Sequence, residues 1–415
     1  MPTLKLTKKY DRYPKYKNSG AEWVGEMPAE WDAKKLYSQF DFRNDKVSDE
    51  DYEALSVTYG GVVPQIENAA KSNAEGSSRK RVKKGDIAIN GRSDRRGAAG
   101  LSEYDGSVSL VYHVLKARSG EETSRYFHYL IRSAIFGDEF YRWGRGIVDD
   151  LWTTRSNEMK RIIIPVPSTV DREKIAAYLD EKTALVDAII EKKKKQIELL
   201  REKRAAIINR AVTSVDGETI RLRHHVLVNP SKREVPKLDP NNIVAFLPME
   251  AVSETGVVTS QERKYGDVKD GFTYFKDGDV VLAKITPCYE NGKAAVIRGL
   301  NGGFGFGTTE FLVLRSDESI LPEYLYYIVY ADNFRKHGEI EMRGSAGQKR
   351  VSDKFVRNYQ LKLPSIDVQQ EIVSHLLERL MLIDQIMTNV EKSTTLLQEF
   401  KSALISHVVT GKVRV

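Results

Sequence analysis

Cysteine is nearly absent: Cys288 is the single one in 415 residues. An intrachain disulfide is therefore excluded, and a reducing, cytoplasmic setting is expected. No apolar run approaches the roughly 18 residues needed to cross a bilayer, so no membrane partner is expected. The N-terminal stretch is basic but lacks the apolar segment of a signal peptide. A large excess of one charge is missing too. The 65 Lys and Arg against 58 Asp and Glu leave only +7, which fits plain solubility as well as a polyanionic partner. With 41% hydrophobic and 30% charged residues, the chain has room for two or three ordinary cores.

Catalytic constellations are also lacking. Gly292-Lys293-Ala294 and Gly347-Gln348-Lys349 have neither the spacing nor the Ser or Thr of a phosphate-binding loop. The glycines from Gly303 to Gly307 lack dinucleotide-binding spacing and read as a turn. Asn229-Pro230-Ser231 does not match the Asn-Pro-Pro-aromatic element with which amino-methyltransferases hold a flipped adenine. His224-His225, with no Cys or further His nearby, reads as a surface pair. Asp149-Asp150 carries no nuclease pattern. The expectation is a chain with no catalytic residue, no metal and no cofactor of its own.

What the chain does contain is a repeat. The segment starting at Pro167 returns without a gap at Pro364, 197 residues on. Roughly a third of the paired positions are identical by direct count. Ile175 and Leu179 match Ile372 and Leu376, Asp187 matches Asp384, and Ala206 and Ile208 match Ala403 and Ile405. Each copy reads as a long helix, about 171–212 and about 368–409. In the first, Leu179, Val186, Leu200 and Ile207 recur every seven residues, with Lys193 breaking the series and Ile190, Ile197 and Ala211 alongside. In the second, Leu376, Ile383, Val390, Leu397 and Leu404 recur, with Leu380, Met387 and Val408 beside them. These are heptads. A helix of about 40 residues is roughly 60 Å long. The two stripes share one register, so packing as an antiparallel coiled coil is expected; packing of each helix on its own globular segment is the alternative. Pro167 and Pro364 mark the helix entries, and Asp367 with Gln370 could form a capping box.

The boundaries expected are a globular segment at 1–163, a helical one at 164–215, a second globular one at 216–362 and a second helical one at 363–415. Strands are expected at 54–58, 86–90, 108–116 and 161–166, and a helix at 122–135. The globular segments are not close copies, yet landmarks recur. Lys84-Gly85-Asp86-Ile87 is answered by Asp277-Gly278-Asp279-Val280, and the aromatic run from Tyr126 by the one from Tyr324. A shared α/β (α+β) fold with varied loops is expected, two such domains in tandem, each followed by its long helix.

Polyanion binding is the chemistry left to the loops. Arg79-Lys80-Arg81-Val82-Lys83-Lys84 is a dense basic run. After the first Gly-Asp strand come Asn90, Arg92, Ser93, Arg95 and Arg96; after the second come Lys284, Thr286, Tyr289, Asn291 and Lys293. Arg343, Ser345, Gln348, Lys349 and Arg350 form another basic, glycine-bearing loop, with Arg142 and Arg145 as its counterpart in the first half. Arginine can pair bidentately with guanine and asparagine with adenine, and phosphate accepts from either. Any one loop could equally be a solvated turn; their recurrence at matching places favours DNA. The lysines at 192–195 read as a solvated helix flank.

On these residues the chain resembles the specificity (S) subunits of type I restriction-modification systems along essentially its whole length. The opening Tyr13-Pro14-Lys15-Tyr16-Lys17-Asn18-Ser19-Gly20 with Glu22-Trp23-Val24-Gly25-Glu26-Met27-Pro28 and Trp31 is similar to the family's, and the helices at Pro167 and Pro364 resemble its two helical regions. The resemblance implies two target recognition domains, each reading half of a split double-stranded DNA sequence. It implies helices that serve as spacer and as dock for two modification (M) subunits. S-adenosylmethionine would belong to the M subunits, and ATP and Mg to restriction (R) subunits joined through them; no catalytic residue transfers here. A silent cassette copy, a coiled-coil scaffold and a degenerate nuclease or methyltransferase are the competing readings.

Overall fold

The computed structural model describes residues 10–48, 50–65, 79–92, 97–147, 152–253, 256, 260–344 and 347–415. The chain forms two compact units, 1–193 with 392–415, and 194–391. The division falls inside both long helices (Thr169–Thr213 and Ile366–Val409), so each unit contains a stretch of each.

In the first unit, four antiparallel strands lie in the order β3-β2-β4-β1: β1 (Phe40–Arg43), β2 (Ile87–Asn90), β3 (Ala99–Leu101) and β4 (Tyr112–Ala117). Ile87, Ile89 and Leu115 face a core shared with Tyr126, Phe127, Leu130 and Ile131 of helix α1 (Glu121–Arg132). The single helix expected at 122–135 is two. Ser133 leaves helical geometry, and its Oγ caps α2 (Ala134–Arg142) by accepting from the Phe136 N–H at 3.3 Å. The strand expected at 108–116 is also divided. Gly106–Ser109 belongs to a separate small sheet with Arg79–Val82 and Lys46–Val47.

The N-terminal segment folds over the end of the second long helix. Its hairpin, Tyr16–Asn18 with Glu26–Pro28, carries Tyr13, Met27 and Trp31 into the core beside Leu404, Val408 and Val413. The Tyr16 hydroxyl donates to Gly411 O at 3.1 Å, and Arg414 N to Asp11 O at 2.9 Å. Gly411 has φ of +74°, and a side chain there would collide with Pro28. Asp32–Lys35 then pairs antiparallel with Ile163–Val166, the strand that enters the first long helix.

The second unit repeats this frame. Strands β5 (Val226–Val228), β6 (Val280–Ala283), β7 (Ala294–Val296) and β8 (Phe311–Ser316) lie in the order β5-β8-β6-β7, all antiparallel. Helix α3 (Pro322–Tyr330) buries Tyr324, Leu325, Ile328 and Val329 and leads into α4 (Asp332–Glu341). Glu218–Arg221 pairs with Gln360–Leu363, as Asp32–Lys35 does with Ile163–Val166. The unit adds a mixed four-stranded sheet containing Phe304–Gly307. The glycines expected to form a turn are therefore a strand. Gly305 and Gly307 sit against the Phe275 ring, where a Cβ would crowd both the ring and the neighbouring backbone.

Each unit holds the helices antiparallel. In the first, Ile175 and Leu179 near the start of one helix share a core with Leu404 and Val408 near the end of the other. In the second, Ile208 and Val212 share one with Val373, Leu376 and Leu380. Val186, Ile190, Ile383 and Val390 are buried, while Ile197, Leu200, Ile207 and Leu397 are half-buried. Thr183 and Arg204 fill stripe positions that apolar periodicity leaves blank.

The helix entries differ in chemistry. Ser168 Oγ accepts from Asp171 N at 3.1 Å. At the second entry Gln370 reaches along the helix to Ser374 (3.5 Å), and Gln369, not an Asp367–Gln370 box, secures the end. The Gln369 amide accepts from Leu321 N at 3.0 Å and donates to Ser319 O at 2.8 Å and to Pro364 O at 3.0 Å. Arg172, its repeat counterpart, donates to Ser119 at 2.9 Å. Both side chains tie a long helix to the loop before the aromatic helix.

Candidate nucleic-acid interface

A buried aspartate fixes the Gly-Asp turn before each central strand. Asp86 Oδ2 accepts from Lys83 N at 2.9 Å and pairs with Arg43 Nε at 2.7 Å. Asp279 Oδ2 accepts from Lys276 N at 2.8 Å and pairs with Arg315, whose Nε is 2.6 Å from Oδ1. Burial opposes the Arg315 charge, yet hydrogen bonds to Asp279 and Glu234 hold its pKa above the ordinary arginine value. The arginine comes from the edge strand β1 in one unit and from β8 in the other, so similar chemistry is reached by different routes.

The loop leaving that strand meets the hairpin that follows the second short helix. In the first unit Thr153 bridges antiparallel to both Arg92 and Arg145. In the second, Arg350 bridges to Ile285 and Arg343. Three backbone segments therefore cross in the same way in both units. Thr286 reinforces the second crossing: its Oγ1 donates to Gly347 O at 2.6 Å and accepts from Lys349 N at 3.1 Å. The loops matched in sequence are thus neighbours in space within each unit.

The candidate side chains divide into three groups. Lys83, Arg92, Arg145, Arg343, Gln348 and Lys349 are exposed, and the cations among them have no carboxylate partner among the described residues. Asn291 is exposed, and Lys284 and Lys293 are half-buried, with Lys293 Nζ reaching Met249 O at 3.5 Å. Others are engaged: Arg142 lies between Glu22 and Glu139, 2.8 Å from each, Arg350 is 2.8 Å from Glu310, and Arg81 lies over the Tyr52 ring at 4.6 Å.

The third group corrects the sequence-based expectation. Tyr289 is fully buried, and its hydroxyl donates to Phe334 O at 3.2 Å, so it is a core residue. Asn90 is buried as well, its Oδ1 accepting from Arg92 N at 3.0 Å, and it shapes the loop. The basic run at 79–84 begins as a strand. Arg79 donates to Ser107 Oγ at 2.8 Å and Lys80 to Tyr112 O at 2.6 Å, because neighbouring strands supply acceptors that solvate the charges. Ser93, Arg95, Arg96 and Ser345 lie outside the described residues. Sequence reasoning missed Thr153 and Glu310. Neither residue type carries a signal; their roles come from backbone crossing and from proximity to Arg350.

No family model matches the chain. Its fold is similar to that of solved HsdS chains. It aligns with the HsdS subunit from Thermoanaerobacter tengcongensis at a TM-score of 0.52 and 15% identity, covering 93% of this chain and 98% of that one. A solved chain from work on complex assembly and conformational transition of the type I R-M system aligns at 0.71 and 14% identity, covering 92% and 98%. In sequence the chain is similar to specificity subunits. It is 39% identical over 172 residues to that of the type I restriction enzyme EcoEI of Escherichia coli, 41% of this chain and 28% of the relative. It is 40% identical over 157 residues to that of EcoAI from the same organism, 36% and 27% of the two chains. The StySPI specificity subunit of Salmonella potsdam is 21% identical over 267 residues, 61% of this chain and 58% of the relative. The matched part thus spans only 28% and 27% of the first two relatives. No helix among the described residues is long and apolar enough to cross a membrane.

Proposed function

We propose that this chain is the non-catalytic DNA-specificity subunit of a type I restriction-modification complex, acting in the cytoplasm. The loop crossings at Arg92–Thr153–Arg145 and Ile285–Arg350–Arg343 each read one half of a bipartite, asymmetric target. Exposed Lys83, Arg92, Arg145, Arg343 and Lys349 supply phosphate and base-edge contacts, with phosphate carrying salt-dependent affinity. The long helices run through both units and act as spacer and as dock for two modification subunits, through which restriction subunits join. S-adenosylmethionine, ATP and magnesium are chemistry of those partners.

The observation that carries this reading is recurrence. The same three-segment crossing stands in both halves of a chain similar in sequence to specificity subunits. The test is a genome-wide adenine-methylation map of the host with and without the gene, in a strain expressing an intact modification subunit. Loss of methylation at one split motif supports the proposal; an unchanged map refutes it.

A further inference from the structure

The two ends of the antiparallel helix pair are not finished alike. In the first unit, the groove between the end of the second long helix and the start of the first is covered by residues 10–31. Tyr13 and Met27 pack beside Leu404 and Val408, while Tyr10 and Tyr178 pack at the margin of the same core. Lys412 Nζ also donates to Glu26 O. The covered groove residues Leu404, Val408 and Ile175 are 2%, 0% and 1% exposed.

The repeat places the same groove in the second unit, between the end of the first long helix and the start of the second. Among the described residues no segment covers it, and a cleft of about 930 Å³ remains. Ile207, Ala211 and Ile372, the counterparts of Leu404, Val408 and Ile175, are half-buried, and Val368 is 40% exposed. Lys203, Arg210 and Arg379 line this cleft, with Asp216 as its one carboxylate. Phe400, His407 and Lys182 stand at the matching positions of the covered groove, so the open one is the more basic.

We infer that the open groove of the second unit receives a hairpin-forming, tyrosine-bearing, net-acidic segment of a protein partner, in the way residues 10–31 fill its counterpart. The covered groove supplies the template for the occupant: a short hairpin whose tyrosines, here Tyr10, Tyr13 and Tyr16, pack on the apolar core at the helix ends. The basic rim supplies the charge preference. The partner's identity as a modification subunit rests on the function proposed above; the groove and its occupant class do not.

The test places a photo-crosslinking residue at Ile372 of the full chain, in complex with a modification subunit from the same genome. The expected product joins position 372 to a tyrosine-bearing segment of that subunit. The yield should fall at least tenfold in the Arg210→Glu/Arg379→Glu variant, whose folding is checked by its unaltered thermal transition. Crosslinks only to a second copy of this chain, or none within an intact complex, overturn the inference. If no complex forms, the proposed function fails instead. A labelled peptide of residues 10–31, titrated onto the chain alone, then decides the groove. Saturable binding weakened tenfold by Ile372→Asp supports it, and absence of binding overturns it.

Discussion

Arg204 Nε lies 3.2 Å from Asp384 Oδ1, and the pair is the repeat image of Lys401 with Asp187 at 2.6 Å. The two pairs sit in different units and differ in burial. The Arg204 side chain is 5% exposed and also covers the Tyr330 ring at 5.0 Å, whereas that of Lys401 is 29% exposed. Arg204→Ala is therefore expected to cost about 2 kcal/mol, mostly as lost packing and ring contact. Lys401→Ala should cost less than about 1 kcal/mol. Urea unfolding of the two variants checks the order; equal losses would refute it.

The Asp279 carboxylate is fully buried and depends on Arg315. Arg315→Met is expected to cost about 3 kcal/mol, because it strands a buried charge. Adding Asp279→Asn should recover at least half of that loss, since the amide still accepts from Lys276 N and carries no charge. Thermal melts of the single and double variants decide the point.

Burial, followed by the nearby Arg132 charge, pushes the His128 pKa down from 6.5 to about 4. The folded state then binds fewer protons than the unfolded chain between those values. Stability is intact above pH 6.5 and falls as pH drops toward 4, by about 1–2 kcal/mol after allowance for partial exposure. His128→Gln should flatten the stability profile in this window, measured by denaturant midpoints at stepped pH.

Arg92→Ala, Arg343→Ala and Lys349→Ala should each weaken DNA binding and lower the log-affinity versus log-salt slope by about 0.9. Tyr289→Phe removes only the hydrogen bond to Phe334 O. It should leave the slope unchanged while costing about 1 kcal/mol of stability. Fluorescence anisotropy across a salt series separates the two classes.

Inserting seven residues at the middle of both long helices adds about 10 Å. At roughly 3.4 Å per base pair, the unread gap in the target should grow by about three base pairs, with both half-sequences retained. Methylation mapping reads this directly, and altered half-sequences would contradict a spacer role.

The helices were legible because a heptad stripe is a local pattern and the repeat doubled it. The sheet frame was partly legible, since Gly85-Asp86 and Gly278-Asp279 mark tight turns before apolar strands. What escaped were residues whose setting depends on distant chain. Arg79 and Lys80 look like a surface patch until neighbouring strands supply Ser107 and Tyr112 as acceptors. Tyr289 looks like a loop aromatic until α4 closes over it. Arg204 looks like a break in the stripe, yet its stem packs within the seam and its charge finds Asp384. The backbone bridges of Thr153 leave no trace in the choice of residue.

Asp11 and Arg414 are hydrogen-bonded neighbours at 2.9 Å. Two positions some four hundred residues apart in the chain are therefore held side by side inside the first unit. Connectivity and neighbourhood are decoupled: opening the chain at the short link 214–217 and joining Arg414 to Asp11 would change the order in which the units are read, but not which surfaces meet within either of them.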